Sequence, residues 1–577
     1  MINILKKIGW FLKEEWKIYV GMFLLLLFIA FIALLPAKVL GMAIDTIVSG
    51  GITAQSLLFL LGGLILLPIV RYFSSFLYNF LMTRQAEKLA FKLRNRYLDH
   101  LFRMDSRFYE QYTKGDLISR VTNDLDGITQ AATSLLEGII FNFGMIVFAV
   151  AIMSFSISLK LTVVSITIMP IGLTILNMIR FQKRKYIKRH HEIYAEMTEK
   201  VLEAVEGMKV IRAYVQEENS LKSQYKAIDA DIESWRYIVK FENWFNPLFE
   251  IIYGISYFLA LAYGTYLIIH QEITLGELVT FLSYIGMLFM PIISISTIFS
   301  QLNNATVSAD RFDEVMKTKP EVHDEADSKP ILTFDRIDFR NVTFQYPFDK
   351  KPVIKNIDFS IQNGQTIGIC GPTGAGKSTL IRQLLREFNV SEGHVFIDDI
   401  PIEQYKIEDV RGLVGYVPQE HILFKKAVDQ NILIGNPHAG SRELDKAVKI
   451  ADFEKDITYL ADGLHTMVGE AGSTLSGGQK QRLSIARALI KDPQILILDD
   501  SLSAVDAKTE ETIIARLKEF RQGKTNIIIA HRFSAIRDAD QILVLEGGKI
   551  TQRGTHDELL KMDGWYKHQY IQQITMK

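Results

Sequence analysis

One cysteine in 577 residues, Cys370, excludes an intrachain disulfide and any thiolate-rich metal cluster. A surplus of either charge is also missing. Lys plus Arg number 65 and so do Asp plus Glu, so no global field draws a polyanion and nucleic acid is not an expected partner. Met1 to Lys17 holds several lysines, but no small-residue cleavage site follows the first apolar run, which reads as a retained helix and not a removed signal peptide. Apolar residues, by contrast, are abundant. The chain is 48% hydrophobic and 11% aromatic against 23% charged, a mixture expected of a membrane part joined to a soluble part. Single cores stop growing at about 250 to 300 residues, so at least two domains are expected.

Six apolar stretches, each near the roughly 20 residues that cross a bilayer, lie before residue 305: Ile18 to Ile44, Leu57 to Met82, Leu135 to Ser156, Leu161 to Ile179, Pro247 to Ile269 and Leu278 to Ser300. The connections Asp45 to Ser56 and His270 to Glu277 lack Lys and Arg, whereas basic residues crowd after the second and fourth stretches (Arg84 to Arg103, Lys183 to Arg189). The positive-inside tendency therefore places both long connections, and the N-terminus, in the cytosol. Leu89, Leu93, Tyr97 and Leu101 share a helical face, as do Val201, Val205, Met208 and Arg212, so these connections read as helices projecting beyond the membrane. Their turning points, Thr113 to Asp126 and Ala213 to Glu218, are either solvated hairpin ends or elements that pass force to a cytosolic motor.

Lys38, Arg71 and Glu250 interrupt the apolar runs, and charges there should face the bundle interior or a wet cavity. Glu250, Tyr253 and Tyr257 with Met287 and Met290 form a candidate aromatic and anionic pocket for a lipophilic cation, the alternative being an interhelical pair and packing stripe.

After Asn303 the composition changes. Lys317 to Pro330 is polar with two prolines, as in a linker, and from Leu332 short β-rich runs alternate with helices. Thr366 to Cys370 reads as a strand leading into Gly371-Pro372-Thr373-Gly374-Ala375-Gly376-Lys377-Ser378-Thr379, a phosphate loop in its required strand-loop-helix context. The glycines let backbone N–H groups close around phosphate oxygens, Lys377 supplies charge to the β and γ phosphates, and the Ser378 hydroxyl can ligate Mg²⁺. A second strand, Ile495 to Leu498, ends at Asp499, placed to hold the same ion. These two parts alone leave helicases, kinases and GTPases open.

Leu475-Ser476-Gly477-Gly478-Gln479 resembles the signature of ATP-binding cassette proteins, and it comes in order with other matching segments. The resemblance implies that Tyr346 stacks on adenine, that Gln419 senses the metal and contacts the membrane domain, that Ser503 to Asp506 crosses between paired cassettes, and that His531 reaches the γ-phosphate. Val468 to Gly472 resembles the exporter segment that contacts the partner's cytosolic helices. With six helices in front, the resemblance covers essentially the whole chain and points to the exporter branch, similar to bacterial multidrug and lipid exporters. It implies an all-α transmembrane domain with long cytosolic extensions (1–305), a linker (306–330) and an α/β P-loop ATP-binding cassette domain (331–577) in a multi-pass cell-membrane protein. It also implies ATP and Mg²⁺ as cofactors and a second half-transporter as partner. The Ser476 to Gln479 signature would then close over the partner's ATP, with helices four and five crossing to that subunit.

The chain departs from the family pattern at Asp500, where most relatives carry the Glu that positions or activates the attacking water, and at Ser501-Leu502 in place of Ala-Thr. One methylene withdraws the carboxylate by roughly 1.5 Å, a bond length, and a misplacement of about 1 Å can cost on the order of a hundredfold in rate. The expectation is therefore a site that binds ATP and hydrolyses it slowly unless local rearrangement restores Asp500, in a heterodimer whose other half carries Glu and exports lipophilic compounds. The alternatives are an ATP-gated channel or regulatory subunit, and a homodimeric exporter of lipid or, without an N-terminal protease domain, less readily of peptide.

Overall fold

The computed structural model describes residues 2–51, 53–347, 349–469 and 472–575. They fall into two compact units, one built up to Asp99 and from Gly115 to Lys317, the other from His100 to Lys114 and from Thr318 onward.

The first unit is helical. Trp16–Val48, Ala54–Phe102, Glu217–Ile269 and Leu275–Lys317 are each continuous, and a short helix, Ile2–Glu14, precedes them. The third span instead passes from π-type turns at Leu135–Phe141 through Asn142–Ala151 to further π-type turns at Ile152–Ile157. All six expected apolar stretches lie in helices. Among the described residues five segments are long and apolar enough to cross a membrane, while the fourth carries a shorter apolar stretch, Leu159–Gly172. Its helix is interrupted at Thr167, whose hydroxyl bonds back to the Val163 carbonyl before Ile168–Glu206 begins.

Small residues permit a close crossing in this unit. A Cβ on Gly276 would lie 2.0 Å from the Gly41 carbonyl oxygen, so the first and sixth spans meet backbone to backbone. Asp45 secures that crossing, accepting from the Gly276 N–H at 2.8 Å and the Thr274 hydroxyl at 2.7 Å.

Beyond the spans, Ile168–Glu206 and Glu217–Ile269 run side by side, with Tyr186 stacked on Tyr237 at 5.7 Å and His190 Nδ1 bonded to Ser234 at 2.8 Å. They turn through Tyr214 and Val215, both exposed, the latter at φ 53°. From Gly115 on, the polar stretch expected at the first turning point pairs within this unit. Arg120 joins Asp116 and Glu314 at 2.9 Å each, and Arg311 joins Asp116 at 2.7 Å and Asp124 at 3.1 Å. These partners exist because the sixth helix runs on to Lys317, through residues 306–317 of the stretch read as linker.

The segment of that excursion built into the second unit, His100 to Lys114, overlaps the expected Thr113 to Asp126 only at its first two residues. It contains the helix Ser106–Gln111, capped by Asp105, whose carboxylate accepts from Phe108 N–H at 3.1 Å and from the Glu321 and Val322 N–H groups at 2.6 and 3.0 Å. Short local spacing gave no sign of the long-range bonds to 321 and 322.

The rest of the second unit is layered α/β. Strands β1 (Arg336–Phe344), β2 (Ile354–Gln362), β4 (Glu392–Ile397) and β5 (Ile400–Pro401) form an antiparallel sheet in the order β2-β1-β4-β5. Strands β3 (Thr366–Cys370), β6 (Val414–Val417), β7 (Ile495–Asp499), β8 (Thr525–Ile529), β9 (Gln541–Glu546) and β10 (Lys549–Gly554) form the second, in the order β10-β9-β3-β8-β7-β6. From β9 to β6 every pairing is parallel. β7 is buried at all five residues, as a central parallel strand covered on both faces must be.

Candidate nucleotide site

Four neighbouring parallel strands, β3, β8, β7 and β6, end on the same side of the sheet, and each is followed by a loop with expected site residues. In open α/β sheets ligands bind outside the carboxyl ends of the strands. Thr373, Gly374, Ala375, Gly376, Lys377, Ser378 and Thr379 after β3, His531 after β8, Asp499 and Asp500 at the end of β7 and Gln419 after β6 all line one pocket of about 220 Å³. Val353 and Ile529, which no motif marked, line it too.

The loop geometry requires its glycines. Gly371 sits at φ 143°, where a Cβ would lie 2.0 Å from the Leu545 carbonyl oxygen, and Gly376, at φ 95°, starts the helix Lys377–Leu384. That helix directs its N-terminal N–H groups at the pocket, an arrangement that suits an anion. Lys377 is 7% exposed and donates to the Gly371 and Pro372 carbonyls at 2.9 Å each. Burial lowers its pKa, opposed by Cys370, Asp500 and Asp499. Two carbonyls thus hold the ammonium group in the loop, where a phosphate oxygen would be a stronger partner.

Asp499 accepts from the Ser378 hydroxyl at 2.8 Å and from the Tyr416 hydroxyl at 3.1 Å. Burial raises its pKa, and the bonds from Ser378 and Tyr416 pull it back down. Tyr416, two positions before the Pro418-Gln419 segment, was not singled out in the sequence as a partner of this carboxylate. Its place next to β7 follows only from the pairing of β6 with β7. Asp500 lies at φ 47°; its N–H donates to the Ile529 carbonyl at 2.9 Å and its carbonyl accepts from the Ser503 hydroxyl at 3.0 Å.

The other expected residues do not line this pocket. Tyr346 does not line it, but its hydroxyl lies 3.1 Å from that of Thr379, which does, and its ring stands edge-on to Phe344 and Phe388. Cys370 is buried, and desolvation pushes its thiol up to about 12, so it behaves as a core residue. The signature is a helix start: Ser476 caps Gly477–Leu489, accepting from Gln479 N–H at 3.3 Å, while Gln479 Oε1 accepts from Ser476 N–H at 2.9 Å. No described residue of 475–479 lines the pocket, and a Cβ on Gly477 would meet nothing within 4 Å. Within the adjoining Val468 to Gly472 segment, Glu470 and Ala471 lie outside the described residues. Behind the signature, Arg482 and Asp456 form a buried two-point pair at 2.6 and 2.7 Å.

Among the described residues, the bundle cavity takes in only part of the set expected around a lipophilic cation. Met287 and Met290 line a bundle cavity of about 470 Å³ with Arg71 and Glu137. Tyr253 packs edge-on against Phe289 at 5.4 Å and lies 6.0 Å from Tyr257, while Glu250 is exposed and lines no part of that cavity. Of the intramembrane charges, Lys38 donates to Ser156 at 3.4 Å and Arg71 lines the cavity. Glu137 escaped notice because it stands at the very start of its apolar stretch.

Residues 19–292 match the family described as the ABC transporter transmembrane region, and residues 354–503 match the family described as ABC transporter. The chain is 40% identical to YheI of Bacillus subtilis, described as a probable multidrug resistance ABC transporter ATP-binding/permease protein, over 99% of this chain and 98% of that one. It is 32% identical to the ATP-dependent lipid A-core flippase of Pseudomonas fluorescens, over 87% of this chain and 83% of the other. A solved bacterial Atm1-family ABC exporter with ATP bound superposes with a TM-score of 0.80 at 26% identity, covering 97% of this chain and 98% of that one. A helical membrane unit, a strand-end pocket built on a phosphate loop, and full-length likeness to such proteins agree: the chain belongs to the ABC transporters, as an exporter half that spans the membrane and carries a C-terminal ATP-binding ATPase coupled to transport.

Proposed function

We propose that this chain exports lipophilic compounds, drugs or lipids, as one half of a heterodimer in which its own phosphate-loop site binds ATP and hydrolyses it slowly. The observation that carries the slow-hydrolysis reading is the fixed backbone of Asp500. Its N–H is held by Ile529 and its carbonyl by Ser503, so the main chain has little freedom to advance and recover the missing methylene. The left-handed conformation at this position suits Asp better than a longer side chain, which removes local pressure toward rearrangement. Asp500, Gln419 and His531 share the pocket with the phosphate loop, so a withdrawn carboxylate weakens positioning of the attacking water while leaving phosphate contacts intact.

The donor set suits Mg²⁺. The Ser378 hydroxyl and an Asp499 carboxylate oxygen lie 2.8 Å apart, Gln419 adds an amide oxygen to the same pocket, and hard oxygen ligands of this kind, completed by phosphate and water, are what that ion takes. When bound it would neutralise charge on the transferring phosphoryl group. Lys377 would hold the phosphates, and His531, which lines the same pocket, would meet the terminal one.

The need for a second chain is supported by the signature, which lies outside this chain's own pocket with its Gly477 face open. The exposed turn at Tyr214 and Val215 between helices four and five offers a second surface for the partner. Export of drugs or lipids follows the described activities of YheI and of the lipid A-core flippase.

The test is ATP turnover by the reconstituted chain, wild type against Asp500→Glu. Negligible wild-type turnover that rises on the order of a hundredfold in the variant supports the reading. Brisk wild-type turnover contradicts it and leaves a working homodimer.

A further inference from the structure

The bundle cavity carries a chemistry that neither the family likeness nor the proposed lipophilic cargo assigns. Arg71, from Ala54–Phe102, and Glu137, from the π-type turns Leu135–Phe141, both line it, yet neither makes a hydrogen bond or ion pair with any described residue. Both side chains are exposed to this open cavity, Arg71 from within its span and Glu137 from the edge of its own, and charged residues that face a wet cavity in a membrane bundle mark ligand pathways. The rest of the wall is mixed: Asn142, Ser294 and Gln301 add polar groups, while Phe141, Ile298 and the adaptable, polarisable Met145, Met287 and Met290 supply an apolar stretch.

The cavity is also held in shape. The Asn142 amide donates to the Gly138 carbonyl at 2.7 Å, satisfying an acceptor in the wide turns that present Glu137. A Cβ on Gly138 would lie 2.3 Å from Ile298, so the third span is pressed against the sixth at this point. Pro291, inside the sixth helix, has no N–H to donate to the Met287 carbonyl, and both residues line the cavity. At about 470 Å³ the space falls in the range of small-molecule sites.

We propose that this cavity binds amphiphiles whose head group carries both charges, with Glu137 taking the cationic group, Arg71 the anionic group and the methionine wall the apolar part. The inference rests on the export reading and names the class of its cargo. A singly charged amphiphile would leave one of the two residues uncompensated, so discrimination between head groups follows from what the site leaves unpaired.

The test uses the full chain in nanodiscs of phosphatidylglycerol, a lipid with no cationic group, and three probes with the same dodecyl tail: a sulfobetaine, a trimethylammonium and a sulfate. Equilibrium binding without ATP, corrected for empty nanodiscs, should favour the sulfobetaine by about tenfold or more over either singly charged probe. Arg71→Gln and Glu137→Gln should each erase that preference, while Arg71→Lys, Glu137→Asp and the double exchange R71E/E137R should keep it, with unchanged ATP affinity certifying folded protein. Equal binding of all three probes, or trimethylammonium binding that matches the sulfobetaine and depends on Glu137 alone, would overturn the proposal. ATP-driven uptake into proteoliposomes of the Asp500→Glu chain, whose turnover the proposed function expects to be restored, separates the two readings. Sulfobetaine bound as described but never moved sinks export and leaves the site, whereas movement indifferent to head-group charge sinks the site and leaves export.

Discussion

The pocket at the strand ends and the cavity in the helical bundle are assembled on different principles. The pocket takes its polar groups from loops that follow four adjacent parallel strands, so each group's position is set by a few residues of local chain and by strand order. The cavity gathers Arg71, Glu137, Met145 and Met287 from three separate spans, and nothing within a few residues of any of them says they will meet. In the first arrangement local chain and strand order fix each group; in the second a single substitution on one span alters a wall that three spans share.

Experiments that break the cassette's frame should have the largest effects. Asp456→Ala strands the buried Arg482 behind the signature and should cost about 3 to 5 kcal/mol, read as a lower denaturation midpoint of the full-length protein. Lys377→Ala removes the ammonium group that two carbonyls hold in the phosphate loop. ATP affinity should fall on the order of a hundredfold in equilibrium binding, with little change in stability. Asp105→Ala removes one cap bond and two bonds to the 321–322 backbone, at a cost of about 1 to 2 kcal/mol. Hydrogen exchange should then quicken at Phe108, Glu321 and Val322 while the β7 amides stay protected. The smallest effect is expected at Cys370. With its thiol at about 12 and buried, maleimide at pH 8 should leave the folded protein essentially unlabelled and ATP binding unchanged, whereas unfolded chain reacts readily. Rapid labelling of the native protein would mean that the strand before the phosphate loop opens far more easily than its packing suggests.

What could be read from the amino acids follows the same division. Glycines at Gly371 and Gly376, the lysine between loop and helix, and the aspartate at the end of Ile495–Asp499 mark the strand-end pocket because only those residue types satisfy its backbone geometry and charge. The six apolar stretches show through because the bilayer demands length and hydrophobicity from each one separately. Tyr416 and Ile529 stayed hidden because strand order, which local pattern does not encode, brings them to the site. Glu137 was hidden by its position at the edge of a span, while Glu250, marked as a pocket charge, is exposed and does not line the bundle cavity described above. The bonds of Asp105 to the 321–322 backbone were not legible, because its partners lie more than 200 residues away.

The central claim is that Asp500, held by Ile529 and Ser503, makes this chain's phosphate-loop site a binding site with slow chemistry. The most direct measurement is single-turnover ATP cleavage by the reconstituted chain, with ATP binding measured in parallel, for wild type and Asp500→Glu. The account predicts equal ATP affinity in both and cleavage faster on the order of a hundredfold in the Glu variant. Equal cleavage rates would contradict it, showing that the aspartate carboxylate reaches the attacking water as it stands.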